Sequence, residues 1–143
     1  MTDRAASRVI GKPDDLNLEL FQRIVASGQM CLQRCGSCGH YSHPPRMYCG
    51  NCFSGTYSYP EISGAGAVYS YTISHHTAEP AWQDELPYLT VVVELDEGPR
   101  VVGAASIPDP ATVRIGQRVQ VVPERRTDDF AYFTVIFDED GTS

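Results

Sequence analysis

The sequence predicts a mainly β protein in which an N-terminal amphipathic helix and a metal-clamped ribbon precede a C-terminal five-stranded barrel. Three observations carry this. All five cysteines of the 143-residue chain fall between residues 29 and 58. Residues 14–28 carry helical periodicity, and five short β patterns separated by glycine-marked turns fill residues 61–138. Charged residues make up 20% and hydrophobic ones 42%, a globular composition that excludes a disordered tail.

Residues 1–13 are polar, close on Gly11-Lys12-Pro13, and read as a flexible arm. From Asp14 the apolar positions Leu16, Leu20 and Ile24, joined by Phe21 and Val25, recur at three- and four-residue spacing. Asp14 and Asp15 sit where a helix N-terminus favours carboxylates, and Gly28 supplies a left-handed stop. A helix this short is marginal alone, so its stripe must dock, on this chain or on a partner.

Residues 29–60 form the ribbon. Cys35-x2-Cys38, ten residues, then Cys49-x2-Cys52 is the spacing of two knuckles that offer four thiolates to one tetrahedral Zn²⁺. Gly39 allows a left-handed turn after the first knuckle, and Asn51 tolerates the same geometry within the second. Pro44-Pro45 stiffens the interval. Four sulfurs fill the coordination sphere, so the metal is structural and its binding supplies the folding energy of an apolar-poor segment. His40 and His43 are rival ligands that four matched cysteines outcompete; Cys31 is left over as a small apolar strand residue, with a catalytic thiol as the lesser reading.

In the barrel, residues 61–138, the strands read Ala67–His75, Tyr88–Leu95, Arg100–Ala105, Gln117–Pro123 and Ala131–Phe137. The first alternates, with Val68, Ser70 and Thr72 on one side and Tyr69, Tyr71 and Ile73 on the other. Five short strands with glycine turns suit an OB-type barrel, with an SH3-like barrel as the alternative. Residues 139–143 read as an acidic tail.

The net charge of −7 is uneven: residues 1–60 carry six Arg/Lys against four Asp/Glu, and residues 61–143 five against fourteen. An acidic barrel repels phosphate, so Tyr69, Tyr71, Tyr132 and Phe133 read as core and interface residues more readily than as a base-stacking platform. No apolar run approaches the ~20 residues of a membrane span, and the first fifteen residues lack a secretory signal's apolar stretch. The expectation is a cytoplasmic chain that binds neither nucleic acid nor membrane. His75-His76 is the only paired imidazole, followed by Glu79, Asp84 and Glu85 in a loop holding Trp82; strand neighbours point apart, so the pair does not easily share a ligand. No nucleophile elbow, phosphate loop or His-Glu-x2-His motif is present, and the loop 77–87 reads as a contact surface or lid.

The ordered set Arg34-Cys35-Gly36-Ser37-Cys38-Gly39, Pro44-Pro45-Arg46-x2-Cys49-x2-Cys52, Gly64-x-Gly66-x-Val68-Tyr69-Ser70-Tyr71-Thr72, Pro87-Tyr88, Val93–Arg100 and Ile115-Gly116-x2-Val119 resembles the rubredoxin-like zinc ribbon plus OB-fold family known as domain of unknown function thirty-five. The likeness spans about residues 16–137; Gly50-Asn51, where a proline is common, departs from it without touching the ligands. It implies a non-catalytic accessory or scaffold subunit that pairs with a thiolase-superfamily enzyme (a thiolase or lipid-transfer-protein-like aldolase) or an acyl-CoA hydratase. Such a subunit completes or bridges a CoA-thioester site in lipid metabolism, with steroid and aromatic catabolism among the pathways. The contact elements expected are the helix Leu16–Val25, the tip around Pro44-Pro45-Arg46 and the loop around Trp82. Arg34 and Arg46 are candidate partners for CoA phosphate, against a plainer reading as solvated arginines. A single-stranded nucleic-acid-binding ribbon–OB module is the alternative, and a small enzyme using His75 or Cys31 is the third reading.

Overall fold

The computed structural model describes residues 11–105 and 109–138. The expected acidic tail and residues 1–10 of the expected arm lie outside the described residues.

Helix α1 (Asp15–Ser27) starts at Asp14, whose carboxylate accepts the Asn17 amide at 2.9 Å, and stops at Gly28, whose amide reaches the Ile24 carbonyl at 2.9 Å. Leu20 and Ile24 are fully buried, and their partners belong to this same chain: Cys31, Tyr59 and Ala131, with Phe21, Val25 and Phe133 at the margin. The stripe therefore covers the barrel wall rather than waiting for another protein. Gln22 ties the far side by donating to Asp129 at 3.0 Å.

The ribbon is a small antiparallel sheet of β1 (Gln33–Cys35) between β2 (Tyr41–Ser42) and β3 (Tyr57–Ser58). Its base is stitched by Leu32 donating to the Pro60 carbonyl at 3.3 Å and Ile62 to that of Met30 at 2.8 Å. Met30, Leu32 and Ile62 then enter the barrel's own core, which roots the ribbon.

The barrel comprises β4 (Ala65–Ser74), β5 (Tyr88–Leu95), β6 (Arg100–Ala105), β7 (Arg118–Thr127) and β8 (Phe130–Phe137), with a short helix α2 (Pro80–Gln83) between β4 and β5. The closed order is β4-β5-β6-β8-β7, with β7 returning to β4 and the single parallel contact between β6 and β8 at Ala104 and Thr134. This is the OB arrangement. Val68, Leu89, Val91, Val93, Leu95, Val101, Val119, Val121 and Val135 fill the interior, as alternation along each strand requires. Gly66 is where barrel closure needs a missing side chain: a Cβ there would lie 2.5 Å from the Glu94 carbonyl oxygen.

Two strands differ from the sequence reading. The alternation in β4 is broken by a register shift between Val68 and Ser70. Val68 points inward, Tyr69 is 47% exposed, and after the shift Tyr71 and Ile73 pack on the core. Tyr69 is thus a surface residue, covered by the Arg100 guanidinium 3.6 Å from its ring. Strand β7 does not stop at Pro123 but runs to Thr127. It pairs with β4 only at residues 118–120, so beyond them that edge is free of β4 and a proline lacking an N–H is tolerated.

Candidate metal centre and its surroundings

The two knuckles have the same backbone plan. In the first, the Gly39 amide donates to the Cys35 carbonyl at 3.1 Å and the Cys35 amide to the His40 carbonyl at 2.9 Å. In the second, Phe53 donates to Cys49 and Cys49 to Ser54, both at 2.9 Å. The two turns face each other and bring the Sγ atoms of Cys35, Cys38, Cys49 and Cys52 within 4.8 Å of one another. Cys35 and Cys52 are 3.6 Å apart, and Cys38 and Cys49 3.7 Å. Tetrahedral Zn–S bonds of about 2.3 Å place sulfurs about 3.8 Å apart, so the cage already has the size of the ion.

The four sulfurs are positioned to bind a metal. Cys35 accepts the amides of Cys38 and Ser37 at 3.5 and 3.4 Å, and these bring its thiol down to about 6. Cys38 is lowered first by the Asn51 side chain, whose Nδ2 donates at 3.5 Å, and next by the His40 amide. Cys52 accepts the Ser54 amide, which favours its thiolate, yet the Cys35 sulfur, desolvation and the other two sulfurs push it up to about 12. Amide donors favour the thiolates of Cys35 and Cys52, while neighbouring sulfurs and desolvation hold the proton on Cys52. A divalent ion held by these four sulfurs would remove that conflict, and four thiolate ligands would leave no position for water.

Gln33 escaped the sequence reading, and Asn51 plays a different part from the one expected of it. Asn51 donates its backbone amide to Cys49 Sγ at 3.3 Å as well as its side chain to Cys38, linking the knuckles. It does not take the left-handed conformation expected of it: the positive-φ residue of the second knuckle is Phe53, at 63°. Gln33, 4% exposed, grips the backbone of Arg46 from β1. Gln33 carried no sequence signal, whereas Asn51 stood inside the knuckle motif.

The other candidates separate. Arg34 extends over the first knuckle, donating from Nε to the Gly39 carbonyl at 3.2 Å with its guanidinium 5.4 Å from the Tyr41 ring, and lines a shallow recess of about 460 Å³. Arg46 lies along Gly50 and lines a different cleft, of about 440 Å³, between ribbon and the β5–β6 turn, with His40, Tyr41, His43, Glu97 and Pro99. Neither histidine joins the sulfur cage. His43 instead turns to the barrel, its ring 6.4 Å from that of Phe133; burial holds it below its ordinary pKa, and Nδ1 has no hydrogen-bond partner among the described residues. Cys31 is buried under α1, which pushes its thiol up. His75 and His76 are exposed beyond the end of β4 and belong to no ligand group found among the described residues. Trp82, on α2, packs against Tyr88 with centroids 4.6 Å apart. Among the described residues no helix is long and apolar enough to cross a membrane.

A four-cysteine ribbon rooted in a five-stranded OB barrel defines the class of this chain. Residues 28–58 match the family model of the ChsH2 rubredoxin-like zinc ribbon domain, and residues 59–124 that of the ChsH2 C-terminal OB-fold domain. The chain belongs to the DUF35 family. A DUF35 domain-containing scaffold protein of Methanothermobacter thermautotrophicus is 34% identical over 71% of this chain and 73% of its own length. A probable enoyl-CoA hydratase alpha subunit of Thermomonospora curvata is 38% identical over 64% of this chain, which spans 28% of that relative's length. Among solved structures, the Ltp2-ChsH2(DUF35) aldolase superimposes with a TM-score of 0.76 at 30% identity, covering 87% of this chain and 96% of that one.

Proposed function

We propose that this chain is a non-catalytic accessory subunit of an acyl-CoA-processing complex, a zinc-braced scaffold that completes or bridges the CoA-thioester site of a thiolase-superfamily enzyme or an acyl-CoA hydratase. The observation that carries the reading is the likeness to the Ltp2-ChsH2(DUF35) aldolase over 96% of the matched chain. The hydratase alpha-subunit relative supports the same acyl-CoA setting. Zinc would be held by Cys35, Cys38, Cys49 and Cys52, where it supplies rigidity and no reaction chemistry.

For the CoA end of the site, Arg46 is the better of the two arginines. It borders the cleft between ribbon and barrel, whereas Arg34 already spends its Nε on Gly39 and its face on Tyr41. A guanidinium pairs with phosphate through two parallel bonds. Steroid or aromatic catabolism is the setting this reading favours, in a cytoplasmic complex with neither nucleic acid nor membrane as partner.

Co-expression with the protein of the adjacent gene, expected to be thiolase-like or hydratase-like, tests the reading. Co-elution of the two at fixed stoichiometry, with acyl-CoA turnover needing both, is the expected result. Separate elution with full activity of the neighbour alone contradicts it.

A further inference from the structure

The two knuckles differ at one equivalent position. The residue after the second cysteine is left-handed in both, Gly39 with φ 79° and Phe53 with φ 63°. Glycine takes that conformation without strain, and a bulky side chain does not. Phe53 also gains nothing from burial, since it is 79% exposed. An aromatic ring held at a strained position and left in solvent is unexplained by the folding of the ribbon. Met47 and Tyr48, each 61% exposed, stand just before Cys49 on the same knuckle, with the Tyr48 ring beside Gly55. The backbone that carries them is held from below: Gln33 clamps that of Arg46 next to Met47, and the Phe53 amide is bonded to Cys49.

The geometry points to Phe53, with Met47 and Tyr48, as the preorganised anchor by which the ribbon docks on its enzyme partner. This rests on the accessory-subunit reading and assigns it a surface. Rigid aromatic anchors are what binding hot spots use, because little side-chain freedom is lost on association. The occupant is an apolar recess on the partner protein rimmed by carboxylates. Residues 28–60 contain Arg34 and Arg46 and no Asp or Glu; four thiolates on one zinc would offset that charge overall, so the cation offered at the rim is the Arg46 side chain beside Gly50 on the anchor's own knuckle, while the barrel is acidic. A second copy of this chain fits less well, because ribbon-on-barrel contact is head-to-tail and tends to build open chains rather than a closed pair.

Zinc-loaded variants of the whole 143-residue chain, titrated by calorimetry against the partner that the co-expression identifies, test this. Phe53→Gly is expected to keep one zinc and an equal or higher Tm, because the strain is relieved, yet to weaken binding about thirtyfold. Arg46→Glu is expected to weaken binding about tenfold and Arg46→Lys to change it little. Unchanged affinity of Phe53→Gly while the wild type binds overturns the docking assignment and leaves the accessory-subunit reading standing. A lowered Tm or lost zinc in Phe53→Gly also overturns it, since the ring would then serve the fold. Self-association of the wild type that Phe53→Gly abolishes overturns the choice of occupant. Absence of wild-type binding overturns both readings.

Discussion

Gln33 holds Arg46 as a β-strand neighbour would: its Nε2 donates to the Arg46 carbonyl and its Oε1 accepts the Arg46 amide, both at 2.8 Å. One side chain thereby stands in for a missing strand and fixes the path of the chain into the second knuckle. Replacing it with Leu keeps the bulk and leaves two backbone groups without partners. Gln33→Leu is expected to lower ribbon stability by about 1–3 kcal/mol, read as a lower chelator concentration for half-release of metal. An unchanged release curve would show that the clamp is dispensable.

The fit of Gly66 against β5 sets a second expectation. A methyl group there would approach the Glu94 carbonyl oxygen to 2.5 Å, and that contact is backbone and cannot swing aside. Gly66→Ala is expected to destabilise the barrel by about 3 kcal/mol or more, as overpacking against fixed atoms does. Urea denaturation followed by near-ultraviolet circular dichroism measures it.

Helix α1 owes its stability to the barrel rather than to its own propensity, with Leu20 wholly buried. Leu20→Ala is expected to cost about 3 kcal/mol through lost burial and a residual cavity. Hydrogen exchange is expected to show α1 amides losing protection before those of β5. Uniform loss across both elements would contradict separate docking.

His43 gives the stability a pH dependence. Burial lowers its native pKa below that of the unfolded chain, so the unfolded state takes up the proton first. The resulting stability is fully present above about pH 6.5, the ordinary value, and declines as the pH falls from there through the native pKa. His43→Asn is expected to flatten the difference in urea midpoint between pH 7.5 and pH 5.5 relative to the wild type. Acid release of metal is common to both proteins and cancels in the comparison.

Much of this was legible in residues whose spacing admits one geometry. Cys-x2-Cys twice, the Asp14 cap, the Leu20/Ile24 stripe and the β-branched run Tyr88–Leu95 all appear where the pattern puts them. Topology followed from composition only as far as a small barrel; the parallel meeting of Ala104 and Thr134 that separates OB from SH3-like order is a long-range pairing with no local signature. Tyr69 was misplaced because one extra residue in β4 reverses which side faces inward, and nothing in Val68-Tyr69-Ser70 announces it. Phe53 was hidden for a different reason. Propensity assigns left-handed backbone to Asn before Phe, and only the hydrogen bonds of the knuckle override that preference.

The ribbon's rigidity and its docking role both require a divalent ion inside the four sulfurs. Elemental analysis of freshly purified protein, followed by chelation under hydrogen-exchange mass spectrometry, measures this directly. One zinc per chain is expected, with amides of residues 33–58 exposed on its removal while those of β5 and β6 stay protected. Folded protein free of metal, or a ribbon whose protection survives verified zinc loss, would contradict it.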